Sequence, residues 1–470
     1  MKATNDQSVG DPHKLHAVKR AAQGKAARAQ APRLAHADWQ PGDGRDPVGL
    51  LCEEDETRVP ELVPIRYGRM LRSPFAFFRG SAAVMAADLA DTPTAGLHVQ
   101  LCGDAHLSNF GVFSAPDRRL VFDCNDFDET APGPFEWDVK RLAASVAVAG
   151  RDRGLARRER RRAIRRSVGA YRDSMRRFAE MRDVDVWYAR TDVDSRLAEL
   201  GKHLDGESRR RIERNVARAT SRDSLRALRK LARPTEDGLR IVGDPPLVTP
   251  VEELGDGAEI ESQLEAVLTE YRSSLSGAHR HLAAAYRYVH AARKVVGVGS
   301  VGTRAWIVLL VGRDSEDPLF LQAKEAGASV LEPYVGESHF ESHGRRVVEG
   351  QRLMQAASDI FLGWVTVKAA DGSPRDFYVR QLWDGKGSAD LERMPPHQLG
   401  DYVSLCGEAL ARAHARSGDR IAIAAYLGEG KKFDEAIADF AETYADQNER
   451  DFESLERAAE DGRIAIAVDL

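Results

Sequence analysis

The sequence predicts an α+β protein of two lobes with helical insertions, and three observations predict it. Short apolar strands bracket a glycine-led, acid-rich stretch at 97–128. Residues 151–235 are arginine-rich and helical in pattern. The character turns to β between 295 and 382 and returns to helix over 395–465. Alternating or continuous apolar runs bounded by turn residues mark strands, and a period near 3.6 marks helices.

A chain of 470 residues is long enough for two or three structural units. With 43% hydrophobic and 30% charged residues it falls in the globular class. A net charge of −5 exerts no global attraction on nucleic acid or an anionic membrane. The four cysteines form no CxxC pair, which argues against a disulfide framework or a cysteine-rich zinc site and fits a reducing compartment. Residues 1–35 lack the apolar core of a secretory signal, and no run approaches the ~18 apolar residues that a spanning helix needs. A cytoplasmic protein without a membrane partner is the expectation. Oligomeric state is not encoded in any pattern of the sequence.

Residues 1–45 are polar and weakly periodic, and read as a mobile tail. Residues 46–150 form the first part of the larger lobe. Helix 81–89 leads to an alternating strand at 97–102, and a second strand at 119–122 ends in acids. The turn Pro132-Gly133-Pro134 precedes an amphipathic helix over 136–149. Residues 151–290 read as an arginine-rich helical insertion. Its runs at 157–162 and 165–166 are followed by Asp173, Glu180, Asp183 and Asp185, without interleaved aromatic residues. That pattern favours a solvated helical face over a nucleic-acid contact. A long helix is expected over 260–292. Residues 291–385 form a small β-rich lobe with strands at 305–312 and 319–323, a helix at 345–358, and a strand pair about Asp371-Gly372-Ser373-Pro374. Helices over 386–470 complete the larger lobe.

Two constellations carry chemistry. In the first, Gly103-Asp104-Ala105-His106-Leu107-Ser108-Asn109 follows a strand directly, and the next strand delivers Asp123, Asp126 and Asp128. Phosphoryl transfer needs such groups. One carboxylate orients the attacking hydroxyl, and an amide oxygen with a second carboxylate holds the divalent cation that bridges the nucleotide phosphates. In the second, Gly297, Gly299, Ser300 and Gly302 precede the strand at 305–311. Glycines let backbone N–H groups approach phosphate oxygens. A strand rather than a helix follows, so a dinucleotide-binding turn is disfavoured and a glycine loop over phosphates favoured. Lys324 closes the next strand and resembles the Val-Ala-Ile-Lys lysine of kinases, which implies contact with the nucleotide phosphates and an acidic partner on a following helix. Glu349, with Glu332 as the nearer alternative, is the acid expected to pair with it.

The loop resembles the His-Gly-Asp-x-His-x-x-Asn loop of the aminoglycoside-phosphotransferase and choline-kinase branch of the protein-kinase-like superfamily, with Cys102 in place of the first histidine. The resemblance implies Asp104 as the catalytic aspartate and Asn109 as a metal ligand. It implies a metal aspartate among Asp123, Asp126 and Asp128, with Asp126-Phe127 the best match. It also implies Asp138 as a buried brace of the loop; His106 itself reads as a satisfied polar residue bracing the loop rather than a ligand. Residues near 379–383 would form the hinge against adenine. The glycine loop and lysine follow the catalytic loop instead of preceding it, which implies a circularly permuted two-lobe fold. The helix containing Ala413-His414-Ala415 is then the one that normally precedes the loop.

As a whole the chain resembles a bacterial family catalogued as domain of unknown function 2252, through SPFAFFRG at 73–80, LCGDAHLSNFG at 101–111, NDFDETAPGPFEWDVKRLA at 125–143 and VVEGQRLMQAASDIFLG at 347–363. The expected activity is transfer of a phosphoryl group from ATP with Mg²⁺ to an unknown small molecule or protein. Arg79 is placed to hold substrate or phosphate, or to brace a core carboxylate. A non-catalytic nucleotide-binding or scaffold protein is one alternative. A binuclear metallophosphoesterase using His279 and His281 is another.

Overall fold

The computed structural model describes residues 12–467, apart from 201–209, 211–213, 215, 218–223, 237, 256, 296, 298, 300, 370–371, 383–384 and 393. The architecture is α+β. One antiparallel sheet has six strands in the order Gly363–Lys368, Pro374–Gln381, Pro318–Ala326, Ala305–Val311, Arg287–Lys294, Val248–Pro250. The helix His343–Met354 links the third of these to the first and packs on the Gly363–Lys368 and Pro374–Gln381 strands.

Side-chain alternation gives the sheet two different faces. Leu321, Val308, Ala291 and Val379 face the helix Gly257–Ser273 and pack on its Leu268 and Tyr271. Ile307, Leu309, Phe320 and Leu382 point the other way and are covered by Ala227 and Leu231 of the short helix Ser224–Leu231. Lys324 shares this second face, because it lies an even number of residues from Phe320 and opposite Ala305 in the register.

Two short hairpin-like pairs position the acid-rich loops. His98–Leu101 pairs with Ala131–Pro134, and Phe110–Ser114 pairs with Leu120–Cys124, all antiparallel. The ladders bring the loop at 102–109 against the turn at 125–130, and Asn125 N–H donates to the Asn109 carbonyl at 2.8 Å. Gly387–Ser388 returns from the large sheet to pair with Gly111 and Val112. The chain therefore ties the six-stranded sheet to the loop region just after its last central strand.

The largest core lies among helices Phe135–Asp152, Arg157–Glu180, Pro396–Ser417 and Lys432–Glu460. Phe135–Asp152 is buried nearly all round, as expected of a central helix. Arg157–Glu180 buries the stripe Ile164, Val168, Tyr171, Met175 and Phe178, at spacings of three and four. Its arginines are not a free solvated face. Arg160 pairs with Glu442 at 2.7 Å and Arg165 with Glu435 at 3.0 Å, while Arg161 and Arg172 contact Asp439 and Asp434. These acids all lie on Lys432–Glu460. The arginine run is an inter-helix ladder and part of the main core, so the expected insertion over 151–290 is not one unit.

Two further expectations are corrected. The residues expected to be a tail at 1–45 include the helix Pro12–Gln30, where Arg20 pairs with Asp419 at 2.9 Å. His36 and Trp39 beyond it are buried. Residues 1–11 lie outside the described residues. The expected helix at 260–292 is instead two helices, Gly257–Ser273 and Gly277–Ala284, followed by the strand Arg287–Lys294. That strand and Val248–Pro250 extend the β-rich part beyond its expected start at 291.

Candidate functional site

Strand Pro318–Ala326 presents Lys324 toward the acidic turn. Its ammonium donates to Asp128 at 3.0 Å and lies 3.9 Å from Asp126. Tyr378, opposite Lys324 in the register, donates its hydroxyl to the other Asp128 oxygen at 2.5 Å. Burial would raise the Asp128 pKa, but Lys324 and the Tyr378 hydroxyl hold it well below the usual carboxylate range. Asp126 is shifted up, first by burial and then by the charge of Asp128. Burial disfavours charge on Lys324, yet Asp126 and Asp128 outweigh it and raise its pKa.

The loop is held by a helix it does not adjoin in sequence. Asp138, in the first turn of Phe135–Asp152, accepts from the N–H groups of Cys102 and Gly103 at 2.8 and 3.0 Å. His414 Nε2 lies 3.1 Å from the same carboxylate. Gly103 is at φ +86°, and a Cβ there would lie 2.2 Å from the Glu129 carbonyl oxygen, so only glycine fits this crossing. Arg141, one turn beyond Asp138, grips Asp104 with Nε and a terminal nitrogen, both at 2.8 Å, and donates to the Phe78 carbonyl at 2.6 Å.

Asn109 donates from its amide to the Asp104 carbonyl at 2.6 Å, leaving its side-chain oxygen as an acceptor. His106 Nδ1 accepts from Ser108 N–H at 3.1 Å, and Nε2 lies 3.5 Å from Asp104. Burial pushes the His106 pKa down to about 3, so the ring is neutral at pH 7.

A cavity of about 140 Å³ collects the two constellations. Its wall includes Asp104, Asn109, Asp126 and Asp128 from one, and Gly297 and Gly299 from the other. Arg79 and His106 also line it. Lys324 sits at its edge through Asp128. Gly302 is not part of the wall; at φ +93° it accepts from Val59 N–H at 2.7 Å. Arg58 donates to the carbonyls of Gly299 and Val301 at 3.0 and 2.6 Å. Ser300 lies outside the described residues, as does Trp383 of the expected hinge.

Asp123, Glu349, Glu332, His279 and His281 are not brought to the cavity. Asp123 is buried, accepts from Cys124 N–H at 2.8 Å and pairs with Arg412. It lies within the buried strand Leu120–Cys124, whereas Asp126 lies in the turn beyond the strand's end. Glu349 pairs at 3.2 Å with Arg352 on its own helix, and no hydrogen bond or ion pair joins it to Lys324. Glu332 does not reach Lys324 either; its carboxylate lies 3.6 Å from Arg346. The helix His343–Met354 engages the site through Arg346, which donates to the carbonyls of Thr130, Asp128 and Gly327 at 2.6, 2.8 and 2.9 Å. His279 and His281 lie on Gly277–Ala284, beside the opposite face of the sheet.

Arg141, Tyr378 and Arg346 were not singled out by the sequence reading. Arg141 had a signal: it lies three residues after Asp138, on the same face of one helix. Tyr378 had a weaker one, in the strand pairing that sets it opposite Lys324.

Among the described residues, no three His, Cys, Asp or Glu side chains converge tightly enough to hold a metal by themselves. Asp126, Asp128 and the Asn109 amide oxygen are of the type used by Mg²⁺ sites that borrow ligands from substrate phosphates. No described helix is long and apolar enough to cross a membrane.

The six-stranded sheet, the smaller antiparallel sheets and the helices around them define a mixed α+β protein. The chain belongs to the family described as "Uncharacterized protein conserved in bacteria (DUF2252)", which matches residues 58–458. No curated protein and no solved structure matches it.

Proposed function

We propose that this chain is an ATP- and Mg²⁺-dependent phosphotransferase with a circularly permuted, protein-kinase-like fold. The observation that carries the proposal is the cavity shared by Asp104, Asn109, Asp126 and Asp128 with Gly297 and Gly299. Segments nearly two hundred residues apart converge there, each supplying a different part of the chemistry.

The strand sequence adds support. A glycine-rich turn joins Arg287–Lys294 to Ala305–Val311, Lys324 lies on the next strand Pro318–Ala326, the helix His343–Met354 follows, and the last two strands pair so that Pro374–Gln381 sits beside Pro318–Ala326. The order glycine loop, strand, lysine-bearing strand and helix is the one implied by the resemblance, with the loop-bearing part placed before it in the chain instead of after it.

In this reading Asp104 orients the acceptor hydroxyl and Arg141 fixes the angle of its carboxylate. Neutral His106 supports the loop without competing as a base. Asp126 and the Asn109 oxygen would hold Mg²⁺, which supplies charge stabilisation at the transferred phosphoryl group. Lys324 keeps Asp128 ionised in a buried setting. The acceptor is a small molecule or a protein side chain.

Calorimetric titration of ATP, with and without Mg²⁺, tests the proposal on the wild type, Lys324→Ala and Asp126→Ala. Mg²⁺-dependent binding that is lost in both variants is expected. A wild type that binds no ATP sinks the reading.

One observation favours a second reading, a non-catalytic nucleotide-binding or scaffold protein. The helix Ser224–Leu231 packs on the Lys324 face of the sheet, and its Ser224 accepts from Gln381 at 3.4 Å near the expected hinge. The surface on which adenine would lie is thus covered. A wild type that binds no ATP would favour the scaffold form of this alternative, and binding of ATP without turnover against a broad acceptor panel would favour its nucleotide-binding form.

A further inference from the structure

Arg79 stands at the end of the short helix Pro74–Gly80, in the wall of the same cavity. Its surroundings hold many charges, and nearly all are matched. Asp104 is held by Arg141 at 2.8 Å and Asp128 by Lys324 at 3.0 Å. Glu325 pairs with Arg304 at 3.2 Å. Glu54 and Asp55 share Arg58 and Arg66. Glu129 accepts from Val330 N–H at 2.8 Å. Asp126 lies among Lys324, Arg380 and Lys386.

Arg79 has no such match. Among the described residues it makes no hydrogen bond or ion pair, and its Nε is buried without a partner. The expected core carboxylate brace is absent. Asp104 attracts it through space, but the Asp104 oxygen that accepts hydrogen bonds takes them from Arg141. A desolvated guanidinium left unpaired is costly. Its fork of donors is suited to the oxygens of a phosphate or carboxylate. Its neighbours across the cavity are Gly297 and Gly299, and a Cβ at Gly299 would come within 3.3 Å of the Arg79 carbonyl. Glycine there keeps the loop close to this corner.

We propose that Arg79 anchors an oxyanion subsite that takes a phosphate group beside Asp104. The size of the cavity, about 140 Å³, suits one such group and not a whole nucleotide. The choice of phosphate over carboxylate rests on the phosphotransferase reading. The group could belong to the nucleotide or to a phosphorylated acceptor.

The experiment is calorimetric titration of inorganic phosphate into the full chain, for the wild type, Arg79→Lys and Arg79→Gln, with thermal unfolding of each variant as a control. The wild type is expected to bind at millimolar concentration. Arg79→Lys, which keeps the charge and loses the fork, weakens binding several-fold, and Arg79→Gln weakens it more than tenfold. Should Arg79→Gln fail to fold, Arg79→Lys carries the comparison. Equal affinity in the wild type and the folded variants overturns the proposal, as does a wild type that binds no phosphate.

A second titration with Mg-ATP separates the sources. Competition between Mg-ATP and phosphate assigns the subsite to the nucleotide, and simultaneous binding assigns it to the acceptor. Phosphate binding that needs Arg79, in a protein that ignores Mg-ATP, upholds the subsite and defeats the phosphotransferase reading.

Discussion

Lys324 and Asp128 meet at 3.0 Å across 196 residues of sequence, the first on a central strand of the large sheet and the second on the acid turn. The Lys324 ammonium is nearly buried and lies near two carboxylates that burial would otherwise neutralise. Lys324→Met therefore leaves Asp128 ionised without its main partner, or protonated. The expected loss is about 2 kcal/mol in denaturant unfolding. Adding Asp128→Asn should restore part of it, because the stranded charge is gone. A single and a double variant of equal stability would contradict this coupling.

Asp138 joins the loop to the helical core by accepting from two loop N–H groups while facing His414. Asp138→Ala strands both donors in a buried setting. A loss of about 3 kcal/mol is expected, with Asp138→Asn milder because it keeps one acceptor oxygen. Hydrogen exchange at Cys102 and Gly103 should accelerate in Asp138→Ala before global unfolding does.

His36 is buried, with Nε2 2.6 Å from the Tyr426 hydroxyl, and burial pushes its pKa down to about 3. An unfolded histidine titrates near 6.5. Between these values the unfolded chain binds the extra proton, so stability is complete above about pH 6.5 and falls as the pH drops toward 3. The slope from one such group is about 1.4 kcal/mol per pH unit. His36→Gln should flatten this part of the stability profile by about that slope, measured by urea unfolding from pH 7 to pH 5. An unchanged profile would show that His36 does not titrate on unfolding.

Lys140 and Glu136 are both buried, one turn apart on the central helix. The Lys140 ammonium has no hydrogen-bond partner among the described residues and lies 5.0 Å from the Phe440 ring centre. Burial lowers its pKa and raises that of Glu136. The double replacement Glu136→Gln/Lys140→Met is expected to raise stability by about 1 kcal/mol or more, while Lys140→Met alone should lower it. Thermal unfolding at pH 7 distinguishes the two outcomes.

Leu231 helps hold Ser224–Leu231 on the Lys324 face of the sheet. If nucleotide must displace this helix, weakening its packing lowers the barrier to binding. Leu231→Ala removes about 2–3 kcal/mol of packing and should raise Mg-ATP affinity at least tenfold. Unchanged affinity would mean that the nucleotide leaves this helix in place.

The parts of the site readable in the sequence were those whose chemistry is local. Asp104 through Asn109 is a contiguous loop between strands, and Lys324 ends a clear apolar run. Their meeting was not readable from pattern alone, because it depends on two sheets placed by the rest of the chain. Asp123 and Asp126 were equivalent candidates in one dimension. The end of the strand at Cys124 separated them, and the Arg412 that claims Asp123 is 289 residues distant. Glu349 failed for a similar reason, since its own helix offered Arg352 one turn away. The helix Pro12–Gln30 was hidden by its composition. It is held partly by arginines that reach across, with Arg28 donating to the Tyr426 carbonyl at 2.9 Å, and polar residues give no hydrophobic signal. Strand Arg287–Lys294 was masked by the alanines on either side of Tyr288 and His290, which suit a helix equally well.

The fastening of Gly299, Val301 and Gly302 to Arg58 and Val59 has a consequence for energetics at a distance. The glycine-rich turn cannot lift away without releasing three hydrogen bonds to the segment that precedes the helix Val63–Met70. Any guest that requires the turn to open therefore also favours an undocked state of that segment. By reciprocity, anything that pulls the segment away raises the affinity for the guest by the same factor. The latch and the guest are two ends of one thermodynamic cycle.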